Sequence, residues 1–252
     1  MDLGLRGKRA LVTGATRGIG RAIAETLAAE GCHVGICARS AKGVAETVGA
    51  LERSGTKVVG TPVDVADHAA LARWVEGTAD ALGGLDIAVA NVSALASGDG
   101  PDDWRRTFAV DVMATKAMVD AALPYLARSD AAAIVAVSSI SAMEVDEPDA
   151  YSSLKAALHP YVKGLSRAHA AKGIRANLVS PGTIYFEDGF WGQVKREQPD
   201  YFARMIGLNP LGRMGSPEEI GRVVAFVASP AASFMTGSNI VVDGGMTSAT
   251  PI

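Results

Sequence analysis

A tyrosine and a lysine four residues apart, Tyr151 and Lys155, are well suited to acid–base chemistry. If the segment is helical, this spacing places both side chains on one face. An ordinary phenol, with a pKa of about 10, transfers protons poorly at neutral pH. A lysine ammonium ~4 Å away, at an effective dielectric constant of ~20, lowers the pKa of a phenol by about three units. That brings the phenol into the range where general acid–base catalysis is effective.

Two serines, Ser138 and Ser139, end an apolar strand-like run shortly before the tyrosine. A serine hydroxyl there could hold a substrate oxygen beside the phenol. The alternation of side chains along a strand favours Ser139, and Ser138 is the alternative. The alternative is a Tyr–Lys pair on a helix surface near a serine-rich turn, without a catalytic role. The surrounding sequence elements must decide between the two interpretations.

A glycine-rich turn, TGATRGIG at residues 13–20, joins the first strand-like run to a helical segment. Glycines let the backbone turn sharply and approach a pyrophosphate, and the N–H groups that open the helix then face the anion. A phosphate-binding P-loop would end in Gly-Lys-Ser/Thr, which this turn does not. A tight connection without a ligand is the alternative, but the place after the first strand favours a dinucleotide site.

The end of the second predicted strand lacks the carboxylate that selects NAD in dinucleotide-binding folds. Arg39 lies there instead, and Arg17 lies in the glycine loop. Guanidinium groups can bind the 2′-phosphate of NADP through charge-assisted hydrogen bonds, although either arginine alone could be a surface charge. The missing acid and the two cations together predict NADP(H) as the cofactor.

Alternating apolar strands and helical segments must position these groups. Strands that are apolar on both faces indicate a parallel sheet covered by helices on both sides. We therefore predict a single-domain, Rossmann-type, doubly wound α/β fold of about seven strands over residues 1–252. The predicted strands are 10–13, 34–38, 58–63, 87–90, 134–138, 176–179 and 240–242, and the predicted helices are 19–30, 44–53, 69–82, 102–126, 150–172 and 217–228.

Residues 185–215 break the alternation and contain 6 of the 14 aromatic residues of the chain. Because this segment follows a strand end, where ligand crevices form, we predict a lid over an apolar substrate. Ordinary core or a contact between subunits is the alternative.

Composition excludes several other classes of protein. The 252 residues are 48% hydrophobic, which excludes disorder, and the net charge of −3 gives no basic excess for nucleic acid. Cys32 and Cys37 lie about 16 Å apart in one predicted strand, too far to form a disulfide, which fits a reducing compartment. Because signal, membrane and metal-site patterns are missing, we predict a cytoplasmic protein with neither metal nor membrane partner.

The glycine loop, the serine and the Tyr–Lys pair, in this order, resemble the short-chain dehydrogenase/reductase family over essentially the whole chain. The loop matches TGxxxGxG, and Ser139, Tyr151 and Lys155 match the catalytic residues. Branches similar to β-ketoacyl-carrier-protein reductases and small carbonyl reductases imply a homotetramer built through helices 102–126 and 150–172. The resemblance implies a cofactor site formed by Gly14, Thr16, Arg17, Gly18, Ile19, Gly20, Arg39, Asp64, Val65, Asn91, Tyr151, Lys155, Pro181, Gly182 and Ile184.

The chain departs from the family pattern at several positions. Asp111 replaces the fourth catalytic residue, an asparagine, and an ionised aspartate cannot donate a hydrogen bond. It could still accept one from a water near Lys155. The family's Asn-Asn-Ala-Gly is ANVS at residues 90–93, and Phe186 replaces a threonine that reaches the nicotinamide carboxamide. The interval from Ser139 to Tyr151 is also one residue shorter than expected.

The sequence thus predicts an NADP(H)-dependent oxidoreductase that interconverts a ketone and a secondary alcohol. Tyr151 is the predicted general acid, Ser139 orients the carbonyl oxygen, and Lys155 assists the phenol and holds the nicotinamide ribose. A dinucleotide-binding scaffold with little turnover is an alternative from a different class. Reduction of a C=N or C=C bond is a third possibility. The substrate, the direction and the stereochemistry are not specified.

Overall fold

The computed structural model describes residues 1–96, 98–145 and 147–248, and the strands within them form one parallel seven-stranded sheet. The strand order is β3-β2-β1-β4-β5-β6-β7, which confirms the predicted doubly wound fold. Strands β2 and β3 lie on one side of β1 and strands β4 to β7 lie on the other, so the strand order reverses at β1. Ligands bind at the carboxyl ends of the strands at such a switch point. The strands are β1 Arg9–Thr13, β2 His33–Ala38, β3 Val58–Pro62, β4 Ile87–Ala90, β5 Ala133–Val137, β6 Arg175–Pro181 and β7 Asn239–Val242.

Helices cover both faces of this sheet. One core lies under the first and last helices, with Ile23 and Val224, and the other lies on the opposite face, with Leu71 and Met118. Consecutive β1 residues face different cores, which is why the strands are apolar on both sides. The helices are α1 Gly18–Ala29, α2 Ala41–Leu51, α3 His68–Leu82, α4 Pro101–Thr107, α5 Ala114–Leu126, α6 Ala150–His169, α7 Phe190–Glu197, α8 Pro199–Gly207 and α9 Pro217–Ala228.

Two predicted helices differ in detail from the observed ones. The helix predicted over 102–126 contains a wide π-helical turn, Phe108–Met113, between α4 and α5. The helix predicted over 150–172 ends as a 3₁₀ turn, Ala170–Lys172. The segment 185–215 contains the short helices α7 and α8, which the sequence analysis did not predict. Within the described residues, no helix has the length and apolar character that crossing a membrane requires.

The half-buried Arg175 at the start of β6 closes the C-terminal end of α9. Its Nη1 donates to the carbonyls of Val227 (2.8 Å) and Met235 (3.2 Å), and its Nη2 donates to those of Ala228 and Ser229 (both 3.0 Å). Burial lowers the pKa of this guanidinium. One side chain thus satisfies carbonyls that a helix end leaves without partners.

We expect Arg175→Met to lower the free energy of unfolding by about 2–4 kcal/mol, because several buried carbonyls lose a charged donor together. Urea denaturation measures this change. Arg167→Met is the matched control: Arg167 is exposed on α6, so its loss should change stability by no more than about 0.5 kcal/mol. Equal stability of the two variants would show that the carbonyls find other partners.

Candidate active site

The glycine loop follows β1 and makes the sharp turns that its glycines predict. Gly14 and Gly18 adopt φ angles of +66° and +52°, in the left-handed region that favours glycine. At Gly20 the limit is space, because a Cβ would lie 2.3 Å from the carbonyl oxygen of Gly14 and 2.4 Å from Nδ2 of Asn91. These contacts hold the loop tightly against the ends of β1 and β4.

The loop leads into the N-terminus of α1, which is open to an anion. The residue before α1 is Arg17, and among the described residues no side chain caps the first N–H groups of the helix. Free N–H groups and the positive end of the helix dipole favour a phosphate group at this place. Thr16 and Ile19, both half-buried, flank the opening. The loop therefore fits the pyrophosphate of a dinucleotide.

Asn91 fastens the loop after β4 to the end of β1. Its backbone N–H donates to Oγ1 of Thr13, and its Nδ2 donates to the Thr13 carbonyl, both at 3.0 Å. The sequence analysis missed Thr13, whose hydroxyl has no recognisable signal except its place before the first glycine. Val92 presses against Gly14, where an added Cβ would lie 2.7 Å from Cγ2 of the valine. Val92, which is bulkier than the alanine of the family pattern, thus packs on the glycine loop.

The residues predicted to bind the adenosine half of the cofactor lie after β2 and β3, the two strands on the opposite side of β1 from β4. Arg39 is exposed at the end of β2, and Asp64 is exposed after β3, where its Oδ1 accepts the N–H of Ala66 at 3.0 Å. Val65 beside it is buried. The Nη1 of the exposed Arg17 lies 3.4 Å from the carbonyl of Asp188, a long contact that leaves this guanidinium adaptable. Both arginines are on the surface.

The two serines after β5 have different surroundings. The hydroxyl of Ser138 lies 3.3 Å from the backbone carbonyl of Lys155 and 3.2 Å from Nε2 of His159, so it is engaged by α6. Burial lowers the pKa of this histidine. Among the described residues, the Oγ of Ser139 accepts only a local hydrogen bond, from the N–H of Ser141 at 3.1 Å. The geometry therefore favours Ser139 as the serine that can serve a ligand.

Tyr151 and Lys155 lie on successive turns at the start of α6. Asp149 caps this helix, accepting the N–H of Ser152 at 2.6 Å. Tyr151 is half-buried, and Nζ of Lys155 lies 5.9 Å from the centre of its ring. The same Nζ donates to the carbonyl of Val137, the last residue of β5, at 3.0 Å. This hydrogen bond to the end of β5 fixes the position of the Lys155 ammonium near Tyr151.

Asp111 lies on the π-helical turn and contacts Lys155 directly. Its Oδ1 is 3.0 Å from Nζ, with side chains only 0% and 3% exposed, although the angle is outside hydrogen-bond geometry. The wide turn is stabilised at the carbonyl of Ala109, which accepts the N–H of Ala114 and lies 2.9 Å from Nε2 of His68. The carboxylate of Asp111 thus contacts the ammonium of Lys155 directly.

The turn after β6 brings the remaining predicted residues to the same edge of the sheet. Gly182 follows the buried Pro181 and passes so near β7 that a Cβ would lie 2.8 Å from Cα of Asp243. Ile184 is buried and bridges to Gly215. The ring of Phe186 lies against both Gly18 and Gly189, where an added Cβ would come within 2.5 Å of Cζ. The segment 185–215 thus touches the glycine loop.

A continuous set of contacts joins the catalytic candidates to the glycine loop. Asp111 pairs with Lys155 through one oxygen and accepts the N–H of Ala94 at 2.9 Å through the other. Ala94 follows Asn91 in the loop after β4, and Asn91 bonds to Thr13. The arrangement brings the Tyr151–Lys155 pair and a glycine loop that fits a dinucleotide to the same edge of the sheet, a geometry that suits hydride transfer to or from a carbonyl.

Comparisons with known proteins agree with this geometry. A family model described as Enoyl-(Acyl carrier protein) reductase matches residues 14–247. The chain is 37% identical to isoepoxydon dehydrogenase of Penicillium expansum, covering 98% of this chain and 97% of that one. It is also 37% identical to L-rhamnose 1-dehydrogenase (NAD(P)(+)) of Sphingomonas sp., covering 96% and 97%. The structure of L-sorbose reductase from Gluconobacter frateurii with NADPH and L-sorbose aligns with a TM-score of 0.90 and 30% identity, covering 99% of this chain and all of that one.

Proposed function

The chain belongs to the short-chain dehydrogenase/reductase family, and from this premise we propose that Tyr151, Ser139 and Lys155 perform its chemistry with NADP(H). It is a nicotinamide-dependent oxidoreductase that interconverts a ketone and an alcohol, as its dehydrogenase and reductase relatives indicate. This sets aside the alternative of a scaffold without turnover.

Each proposed role follows from a position in the site. Tyr151 gives its phenolic proton to the carbonyl oxygen, and Ser139 donates a hydrogen bond that orients this oxygen. Lys155 stabilises the phenolate that remains and binds the nicotinamide ribose. The bound cofactor supplies the hydride. The observation that carries the proposal is the buried ammonium of Lys155, fixed at the end of β5 beneath the ring of Tyr151.

The remaining predicted residues hold the cofactor in this proposal. Gly14, Gly18 and Gly20 shape the turn for the pyrophosphate, and Asp64 with Val65 contacts the adenine. Arg39 and Arg17 hold the 2′-phosphate, which the exposure of both arginines near the glycine loop supports. Asn91 keeps the loop against β1, and Pro181, Gly182 and Ile184 support the nicotinamide.

We expect Arg39→Asp to shift the ratio of kcat/KM for NADPH over NADH by about 100-fold toward NADH. The change removes a charge-assisted bond to the 2′-phosphate, repels this group, and offers a carboxylate to the ribose hydroxyls of NAD. Initial rates with the two cofactors measure the ratio.

Arg53→Asp is the matched control for Arg39→Asp. Arg53 is exposed just after α2, so this variant makes the same change of charge away from the end of β2. Its cofactor ratio should stay within about twofold, since exposed charges at a distance are screened by salt. If both variants shift the ratio equally, net charge rather than a phosphate site sets the preference.

We propose a compact substrate with an apolar face, enclosed by the segment 185–215. The aromatic contacts within this segment support the proposal: the rings of Tyr185 and Phe202 meet edge-on at 5.7 Å, and those of Trp191 and Tyr201 stack at 6.1 Å. The names of the relatives mention rhamnose and sorbose, compact polyols that also have apolar C–H faces. A panel of small cyclic ketones, ketoses and acyl thioesters tests this class through the ratio of their kcat/KM values.

One observation favours the alternative of C=C reduction, namely the enoyl-reductase description of the matching family model. An α,β-unsaturated ketone separates the two reactions, because reduction of C=O gives an allylic alcohol whereas reduction of C=C gives a saturated ketone. Product analysis by NMR distinguishes them, and we expect the alcohol.

The homotetramer and the cytoplasmic location remain part of this proposal. The exposed apolar rings of Trp104 and Phe108, on α4 and the π-helical turn, support a contact between subunits through this long helical segment.

A further inference from the structure

The ion pair between Asp111 and Lys155 is a charged feature of this site that the proposed chemistry does not use. The side chain of Asp111 has no solvent exposure, and that of Lys155 is 3% exposed, so solvent screens neither group. The 3.0 Å separation leaves no water between them. Because Ala94 donates to the other carboxylate oxygen at 2.9 Å, the backbone fixes the carboxylate in this position.

We propose that Asp111 is a positioning residue that offsets the charge Lys155 presents to Tyr151, so that alcohol oxidation requires a higher pH than it would with asparagine there. This inference rests on the proposed function, since it needs Tyr151 as the proton-transfer group and Lys155 as its electrostatic partner.

Two opposite charges, both shielded from solvent, act on Tyr151. An ammonium 5.9 Å from the centre of the phenol ring favours the phenolate, and a carboxylate in contact with that ammonium opposes it. At an effective dielectric constant of ~20, a charge ~8 Å away still changes a protonation equilibrium by roughly one to two pH units. Asparagine removes the charge and can keep the bond to Ala94 through its carbonyl oxygen, and its NH₂ group, a donor, then faces the ammonium in place of Oδ1.

The contact also fixes the direction in which Lys155 can point. Its Nζ donates to the carbonyl of Val137 at 3.0 Å and faces Oδ1 of Asp111. An ammonium has three donors, so one remains for a hydroxyl group of the bound ribose. The carboxylate therefore attenuates the charge without occupying every donor of the lysine.

Two histidines are bonded to the same region and could also affect a pH profile. His159 on α6 lies 3.2 Å from the hydroxyl of Ser138, and burial lowers its pKa, which favours the neutral ring. His68 on α3 lies 2.9 Å from the carbonyl of Ala109 in the π-helical turn. His68→Gln can keep a donor to this carbonyl but does not titrate, so it serves as the control for this group.

The test is the rate of alcohol oxidation between about pH 6 and pH 10 for wild type, Asp111→Asn, Asp111→Glu and His68→Gln. We expect the pH of half-maximal rate to fall by about one unit in Asp111→Asn alone, because the phenolate forms more readily beside an unopposed ammonium. The maximal rate should stay within about fivefold of wild type, since the proton-transfer group itself is retained. Circular dichroism checks the fold, and Asp111→Ser is a second neutral variant if asparagine impairs it.

An unchanged midpoint in the folded neutral variants would overturn the inference, as would an equal shift in Asp111→Glu. The ultraviolet absorbance of tyrosinate, taken as wild type minus Tyr151→Phe, should show the same shift in midpoint without turnover. Failure of the proposed function is distinguishable, because Tyr151→Phe would then remain active whatever Asp111 does.

Discussion

Replacing Tyr151 by phenylalanine should reduce kcat by about 10²–10⁴-fold in both directions, the contribution of a positioned general acid–base group. The half-buried ring keeps its packing at the start of α6, so the fold and the dinucleotide site remain. Steady-state rates give the loss, and quenching or enhancement of NADPH fluorescence on titration should give a Kd within about threefold of wild type. Loss of rate with retained binding would assign the effect to proton transfer.

Tyr161→Phe is the matched control on the same helix. The hydroxyl of Tyr161 is buried without a hydrogen-bond partner among the described residues, and burial raises its pKa to about 12. Removing this hydroxyl should leave kcat within about twofold and should not destabilise the protein, because no bond is lost. Substantial activity in Tyr151→Phe, or a comparable loss in Tyr161→Phe, would contradict the role assigned to Tyr151.

Replacing Lys155 by methionine should affect both stability and activity. The carboxylate of Asp111, fully buried, would lose its counter-ion, and breaking a buried pair in this way typically costs about 3–5 kcal/mol. The phenol would at the same time lose its electrostatic partner, so kcat should fall by about 10²-fold or more. Urea denaturation and steady-state kinetics measure the two effects separately.

The double variant Lys155→Met/Asp111→Asn separates the two roles of the lysine. It removes both charges, so most of the lost stability should return while the activity stays low. If Lys155→Met is as stable as wild type, the ion pair with Asp111 does not stabilise the folded protein. If the double variant regains activity, Lys155 serves only to balance the buried carboxylate.

Much of the fold could be predicted from the sequence because it depends on local patterns. Apolar runs mark the strands, and the glycine loop marks the first crossover. The same reasoning predicted one continuous helix over 102–126, because the residues of the π-helical turn have the same apolar periodicity as the α-helix around them. The wide turn has a contact with a distant element, between His68 and the carbonyl of Ala109, which local periodicity does not reveal. Helices α7 and α8 were missed because they are short and begin after Gly189 and at Pro199.

The candidate site could be predicted where its residues lie close together in the sequence. It could not be predicted where a residue meets its partner only through the tertiary fold. Tyr151 and Lys155 are close in sequence, so their common face follows from the helix alone. Asp111 was identified only as a departure from a family pattern, since its contact with Lys155 depends on how the π-helical turn meets α6. The choice between Ser138 and Ser139 likewise needed His159, which lies on a different element.

The contact of Phe186 with Gly18 couples the sequence of the segment 185–215 to that of the glycine loop. Without this contact, residues in the two segments could change independently. A side-chain carbon at position 18 would occupy the volume of the phenyl ring, within 2.5 Å of its tip. A threonine at position 186 would lack that ring, so Gly18 would then have fewer neighbours to limit it. If the glycine loop is exchanged between this protein and a relative, the residues at positions 18 and 186 therefore have to be exchanged together.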